Sequence, residues 1–329
     1  MEFLKPDQLN NLAATPNWAD AGLANRHALV LDLRECQSAE VDASAVSGWL
    51  QQQPIPVIGI GTGTPSLADG LDLIASSEEE AIAWLACIEA HPDAAAILVQ
   101  TVRATASLPL RQALAVESLG YSTLLGGRDF RHWLEQKAAP SLTRLEEPLE
   151  VTRDGTELLI RLNNPGRRNA LCVSMRDALS EMFQLVLADD QILAAVVSGN
   201  GPAFCAGGDL GEFGLATDPA LAHRVRQLRM PGQYVGMAPD KFRFELHGAC
   251  VGAGIEIPAF AGRVIATPDT WFQLPELQFG LIPGAGGCVS ITRRIGRHRM
   301  NELALTGRKL SAREALDWNL IDAVSETHD

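Results

Sequence analysis

Short apolar runs bounded by turn formers set the rhythm of the first 140 residues. HALVLDL (27–33) and PVIGIG (56–61) predict buried strands. EEEAIAWLACIEAH (78–91) spaces its apolar residues helically and opens on acids, which predicts a helix. AAAILVQTV (94–102) reads as a further strand, and the alternation predicts βα units around a mainly parallel sheet. PLRQALAVESLGYSTLLGG (109–127) and RDFRHWLEQ (128–136) then predict two amphipathic helices joined at Gly126-Gly127. QKAAPSLTRLEEP, charged and proline-bearing, reads as a linker.

After the linker, EVTRDGTELLIRL predicts a hairpin around Asp154-Gly155. SMRDALSEMFQLVLADD (174–190) predicts a helix, AAVVSGNG (194–201) a buried strand running into a loop, and 218–229 a connecting helix. KFRFELHG predicts a strand, VGAGIEIPAFAG a helix begun on small residues, and RVIATP and WFQLPEL short strands. ITRRIGRHRMNELALTG and SAREALDWNL close the pattern as helices. The fold class is α/β, with no residue-level repeat of fixed period.

The 329 residues, 47% hydrophobic and 20% charged, hold material for two packed domains. A formal net charge of −13 argues against a nucleic-acid partner or an anionic membrane surface. Six widely spaced cysteines form no C-x-x-C pair and stand near no histidine cluster, so free, mostly buried thiols are expected and no metal site. The opening MEFLKPDQLNNLAATP lacks a basic and then apolar leader pattern, and no apolar run reaches the ~18 residues needed to span a membrane. The expectation is a soluble cytoplasmic protein.

Two glycine-bearing stretches draw attention to chemistry. GNGPAFCAGGDL (199–210) carries Gly201, Gly207 and Gly208 where a strand ends, and by itself reads as a tight strand-to-helix turn. GACVGAGIE puts Gly252, Ala253 and Gly254 at a helix start, where amide groups lack intrahelical acceptors. Facing one another, two such amide sources make an oxyanion hole. Glu256 is the single charged residue of GACVGAGIEIPAFAG (248–262), and Glu276 lies in FQLPELQFGLIPGAGG beside a second glycine loop. Each acid alone reads as a buried group held by backbone amides or an arginine. As a pair they suit acid–base work, because apolar surroundings raise a carboxyl pKa toward the working range.

In their order and spacing, PAFCAGGDL (202–210), HGACVGAGIEI and LPELQFGLIPGAGG resemble the crotonase superfamily, the enoyl-CoA hydratase/isomerase enzymes. LNNPGRRNAL and LALTGRKLSAREALDWNLID resemble its opening segment and post-catalytic helices, and the match spans about 149–325. The resemblance implies a crotonase-like ββα spiral core and an acyl-CoA thioester polarised by the N–H groups of Gly208 and Ala253. It implies that Glu256 and Glu276 hold one water: one acid takes its proton as it attacks Cβ, and the other supplies a proton at Cα. Gly284 matches a position whose N–H lies near that water. Arg168-Asn169-Ala170 and Cys205-Ala206 match places where the CoA nucleotide rests, which makes Arg168, Ala170 and Ala206 implied substrate contacts, with Arg167 and Arg168 as candidate phosphate contacts. The implied activity is hydration of a 2-enoyl-CoA to a 3-hydroxyacyl-CoA in fatty-acid metabolism, without metal or redox cofactor, in a homo-oligomer (trimer or hexamer by family habit). The alternatives are isomerisation, thioester hydrolysis, and a non-catalytic acyl-CoA-binding subunit.

The chain departs from that pattern. It stops at SETHD, where family members continue with a helical module that supports trimerisation and closes over the acyl-CoA. Residues 107–136 are similar to that module: a long helix bearing Glu117, a Gly-Gly break, and an RDF helix. The expected organisation is an α/β domain over 1–140, degenerate crotonase-like, with helical cover at 107–136. A linker at 141–148 and a catalytic domain over 149–329 follow. The alternative is an unrelated α/β domain that ends in two helices. Arg243 and Glu245 share one strand face, either pairing across an interface or marking a specialised site, and His247 reads as a structural turn residue. IGIGTG (58–63) is not a full G-x-G-x-x-G fingerprint, so no nucleotide site is expected there.

Overall fold

The apolar runs of the first half become three parallel strands, β1 (Leu29–Asp32), β2 (Val57–Ile60) and β3 (Leu73–Ala75), in the order β1-β2-β3. The structure, a computed structural model, describes residues 3–14, 26–36 and 42–325. Helix α1 (Pro6–Ala13) precedes this sheet. Parallel strands need crossovers, and α2 (Ala43–Gln51) and α3 (Pro65–Ala68) supply them. A helical layer follows: α4 (Glu78–Ala90), α5 (Pro92–Thr105), α6 (Leu110–Leu125) and α7 (Arg128–Glu135).

Two expectations are corrected, the first in this half. Residues 94–102 are not a strand but the middle of α5. Pro92 at the first helical position and Asp93 in the first turn start a helix, and the run Ala94-Ala95-Ala96 favours it. An apolar stretch this short fits a buried strand and a buried helix alike; the third strand comes instead from Leu73–Ala75.

The second half opens with the hairpin β4 (Leu149–Asp154) and β5 (Glu157–Leu162), followed by α8 (Val173–Ala188) and β6 (Ala194–Gly199). Next come α9 (Pro219–Arg229), α10 (Gly232–Met237), β7 (Phe242–Leu246), β8 (Ala249–Val251) and α11 (Ala253–Glu256). The order continues with β9 (Arg263–Ala266), β10 (Trp271–Gln273), α12 (Gly287–Thr306), β11 (Leu310–Ser311), α13 (Ala312–Asp317) and β12 (Ala323–Val324). Six strands form one sheet in the order β12-β9-β7-β6-β5-β4, and three form a second, β11-β10-β8. The helix expected over VGAGIEIPAFAG shortens to one turn, α11, followed by a 3-10 turn at Pro258–Phe260.

Strand alternation divides the first sheet between two cores. Leu29, Leu31 and Val57 enter a small cluster with Leu50 and Leu71. Val30, Ile58 and Ile60 enter the large cluster, which continues through Leu98, Leu114 and Phe130 to Phe244, Leu281 and Ile321. The first 140 residues thus share a core with the rest of the chain. Helix α6 packs on α5, α9, α10 and α12. A Cβ on Gly120 would meet Thr101 Oγ1 at 2.8 Å, so the glycine permits the close approach of α5. The 136–148 segment has no regular element, yet Ser141 N–H donates to Gly211 O at 2.9 Å and Thr143 Oγ1 donates to Asp209 at 2.7 Å.

In β7, Phe242, Phe244 and Leu246 are buried, while Arg243 and Glu245 pair at 3.2 Å on the other face. His247 Nε2 bonds Gly201 O at 2.9 Å, a turn contact. Cys87, Cys172, Cys205, Cys250 and Cys288 are free thiols. No single described helix is long and apolar enough to cross a membrane.

Candidate active site

The loop after β6 and the strand β8 run side by side. Cys205 and Cys250 form a parallel bridge, with Cys205 N–H bonding Ala249 O at 3.2 Å and Val251 N–H bonding Cys205 O at 3.0 Å. Gly208 and Ala253 each stand three positions past that bridge, so the two peptide groups leave adjacent backbones in equivalent places. The approach demands glycine: a Cβ on Gly254 would lie 2.4 Å from Cys205 O, and one on Gly207, at φ +92°, 3.0 Å from Val251 O. Among the described residues, neither the Gly208 nor the Ala253 N–H has an acceptor.

Glu256 ends α11 and is 2% exposed. Its Oε2 accepts the Ala285 N–H at 2.7 Å and the Gly287 N–H at 2.9 Å, two of the unsatisfied amides where α12 begins. Glu276 follows Pro275, and its Oε2 is buried without a hydrogen-bond partner. The two acids meet over Gly252, where a Cβ would lie 2.5 Å from Glu276 Oε1 and 3.7 Å from Glu256 Oε1. Only a glycine leaves that space open.

Burial raises all these carboxyls. Glu256 is pushed up to about 7 by desolvation, opposed by the Ala285 and Gly287 amides. Glu276 is raised well above the ordinary range by burial and then by the Glu256 charge. No cation forms an ion pair with either among the described residues. Two acids facing one glycine, with the free amide of Ala253 on the next residue and that of Gly208 on the adjoining backbone, are groups that can exchange protons with a polar reactant and stabilise a developing oxyanion.

A sequence profile described as enoyl-CoA hydratase/isomerase matches residues 153–329. The chain belongs to the enoyl-CoA hydratase/isomerase family. It is 28% identical over 172 residues to the mevalonyl-coenzyme A hydratase sidH of Aspergillus fumigatus, covering 52% of this chain and 63% of that protein. It is 32% identical over 196 residues to the enoyl-CoA isomerase/hydratase fer4 of Mycosarcoma maydis, covering 57% of this chain and 71% of the other. The crystal structure of enoyl-CoA hydratase from Bacillus anthracis superposes with a TM-score of 0.51 at 28% identity, over 55% of this chain and 71% of that one. The matched profile lies in the second half of the chain.

For this member of the hydratase/isomerase family, the remaining expected residues sort unevenly. Ala206 N–H donates to Arg168 O at 2.9 Å and Leu171 N–H to Gly207 O at 2.7 Å, which lays residues 168–171, Ala170 included, along the approach to Gly208. The Arg168 side chain is exposed, with the residue at φ 51°. Arg167 is committed elsewhere: it donates to Asp209 Oδ1 at 2.8 Å and Thr143 Oγ1 at 2.7 Å. A Cβ on Gly284 would lie 2.3 Å from the Tyr121 ring, so the glycine permits the close approach of α6 to this loop.

Four functional neighbours escaped the sequence reading as site groups: Glu117, Tyr121, Phe213 and Arg226. Glu117, 2% exposed, accepts the Gly286 N–H at 2.7 Å and the Cys288 N–H at 2.9 Å. Four consecutive amides therefore alternate between two acids: Glu256 takes 285 and 287, Glu117 takes 286 and 288. Burial, then the Glu256 charge, raises Glu117 well above its ordinary value. Phe213 covers Gly208, where a Cβ would meet the ring at 3.0 Å, and it packs edge-on to Trp133 of α7 at 5.9 Å. Helical spacing carried one legible signal: Glu117 falls on the α6 face that holds Ala113 and Leu114, an acid on an apolar stripe.

Proposed function

We propose that this protein hydrates a 2-enoyl-CoA thioester to the 3-hydroxyacyl-CoA. The observation that carries the reading is the meeting of Glu256 and Glu276 over Gly252, next to the two free amides of Gly208 and Ala253. The thioester oxygen accepts those two N–H groups, which draws electron density from C3. A water held between the acids adds its oxygen to C3 and gives one proton to a carboxylate. The other acid delivers a proton to C2, so the elements of water are added with no change of redox state.

The unequal hydrogen bonding supports a division of labour. Two amides favour the ionised form of Glu256, making it the base; the orphaned, buried Oε2 of Glu276 favours the protonated form, making it the acid. The whole reaction belongs to the chain's own residues acting on the CoA thioester, without metal or redox cofactor. Arg168 and the Ala170 and Ala206 backbone line the nucleotide's approach.

The test is incubation with a panel of acyl-CoA esters in heavy-oxygen water, followed by mass spectrometry. The expected product carries the label at C3 of a 2-enoyl ester. Unlabelled double-bond migration would make the protein an isomerase instead, and free CoA would make it a hydrolase.

A further inference from the structure

A small pocket of about 50 Å³ lies between α6, α9 and α10. Its near wall is Gly284 and Gly286, in the loop whose amides hold Glu256, so the pocket adjoins the reaction site. Leu114, Ser118, Arg226 and Gln233 complete the part that matters here.

Arg226 is mostly buried and has no carboxylate within ion-pair distance among the described residues. Its Nε donates to Ser118 Oγ at 3.1 Å and its Nη2 to Ser118 O at 3.4 Å and to Ser122 Oγ, all neutral acceptors. The guanidinium carbon lies 4.4 Å from the Tyr121 ring centroid. Nη1 has no acceptor among the described residues. Gln233, 7% exposed, keeps its Nε2 buried and likewise unpartnered. The one acid in the wall, Glu117, has both oxygens turned to the Gly286 and Cys288 amides.

A mostly buried cation held only by neutral acceptors, and a buried amide donor without an acceptor, line one cavity and are complementary to an anionic oxygen group. A methyl-ended chain placed there would leave both donors desolvated and unpaired. We propose that this pocket receives the far end of the substrate's acyl chain, and that this end is a carboxylate bound by Arg226 and Gln233. A carboxylate matches the planar fork of a guanidinium. The inference rests on the acyl-CoA reading above and adds the substrate class to it.

The test compares dicarboxylic 2-enoyl-CoA esters of increasing length, each linked through one carboxyl, with methyl-ended esters of the same length. In the native protein, kcat/KM at the matching length favours the carboxylate ester by roughly tenfold or more. Arg226→Gln brings that ratio down by roughly 10- to 100-fold, and Gln233→Leu lowers it by a smaller factor. Because the readout is a ratio within one protein, a role for Arg226 as a mere tether of α9 to α6 would lower both activities and leave the ratio unchanged, which overturns the inference. A native ratio of one or less at every length does the same. Should Arg226→Gln fail to fold, the Gln233→Leu ratio decides. Should neither ester turn over, the hydration reading fails, while calorimetric affinities for the two ester series still decide this one: tighter carboxylate binding supports it and equal binding overturns it.

Discussion

Two regions of the molecule bury carboxylates and treat them oppositely. Asp72, fully buried in the first half, accepts the Val57 N–H at 2.8 Å and is bridged by Arg103, whose Nε donates to Oδ1 at 2.8 Å. Arg103 in turn reaches the carbonyls of Gln51, Gln53 and Ile55, so this acid sits in a closed network that ties α5 to β2 and the turn before it. Among the described residues, Glu256 and Glu276 are buried without a paired cation, and one oxygen of Glu276 has no hydrogen-bond partner. An acid whose valences are filled holds structure together. An acid kept short of partners, near backbone amides that are themselves free, is available for proton transfer.

Exchanging each type of acid for its amide sharpens that contrast. Glu276→Gln should lower turnover on a 2-enoyl-CoA by about 10²- to 10⁴-fold while leaving neutral-pH stability equal or higher. Asp72→Asn should do the reverse: it strands Arg103 and should cost roughly 3–5 kcal/mol of stability, with unchanged turnover per folded molecule. Denaturant titrations and steady-state assays on both variants read this directly, and a common loss of both properties would erase the distinction.

Glu117 tests whether the helical cover takes part in the chemistry. Its charge is one cause that raises Glu276, and the Glu256 charge in turn raises Glu117. Glu117→Gln should move the acid limb of the kcat/KM profile to lower pH and reduce the maximum several-fold, because one helix amide loses its acceptor. Glu117→Asp should restore the position of the limb. A profile that keeps its shape would reduce α6 to packing.

The smallest effect concerns stability against pH. Three acids have folded-state values raised above an unfolded glutamate's 4.5, with Glu256 near 7. Between those values the folded protein holds protons that the unfolded chain releases, so this contribution is present below the unfolded value and is lost as pH rises toward the folded one. Urea midpoints should therefore decline from pH 5 to 8, and less steeply in Glu276→Gln. A flat difference between the two proteins would contradict the uncompensated burial of Glu276.

The sequence made the second half readable because its motifs are backbone motifs. Glycines at 207, 252 and 254 mark close approaches whatever surrounds them, and Glu256 and Glu276 stand out by charge in apolar stretches. The hairpin, the long helices and most strands follow from periodicity for the same local reason. What escaped depends on tertiary placement. Residues 94–102 are apolar enough for either state, and Pro92 with Asp93 decides the helix. Glu117 and Arg226 reach the site because α6 packs against α9 and α12, contacts separated by more than a hundred residues. Arg167 drew attention as a surface cation, and Asp209, which claims it, could be found only by folding the loop.

The central claim is that two amides and two acids act on one thioester. A crystal structure of the Glu276→Gln protein holding a 2-enoyl-CoA tests it most directly. The account predicts the thioester oxygen at about 3 Å from both the Gly208 and Ala253 nitrogens, with C2 and C3 beneath residues 256 and 276. A thioester bound elsewhere, with either amide turned from its oxygen, would contradict it.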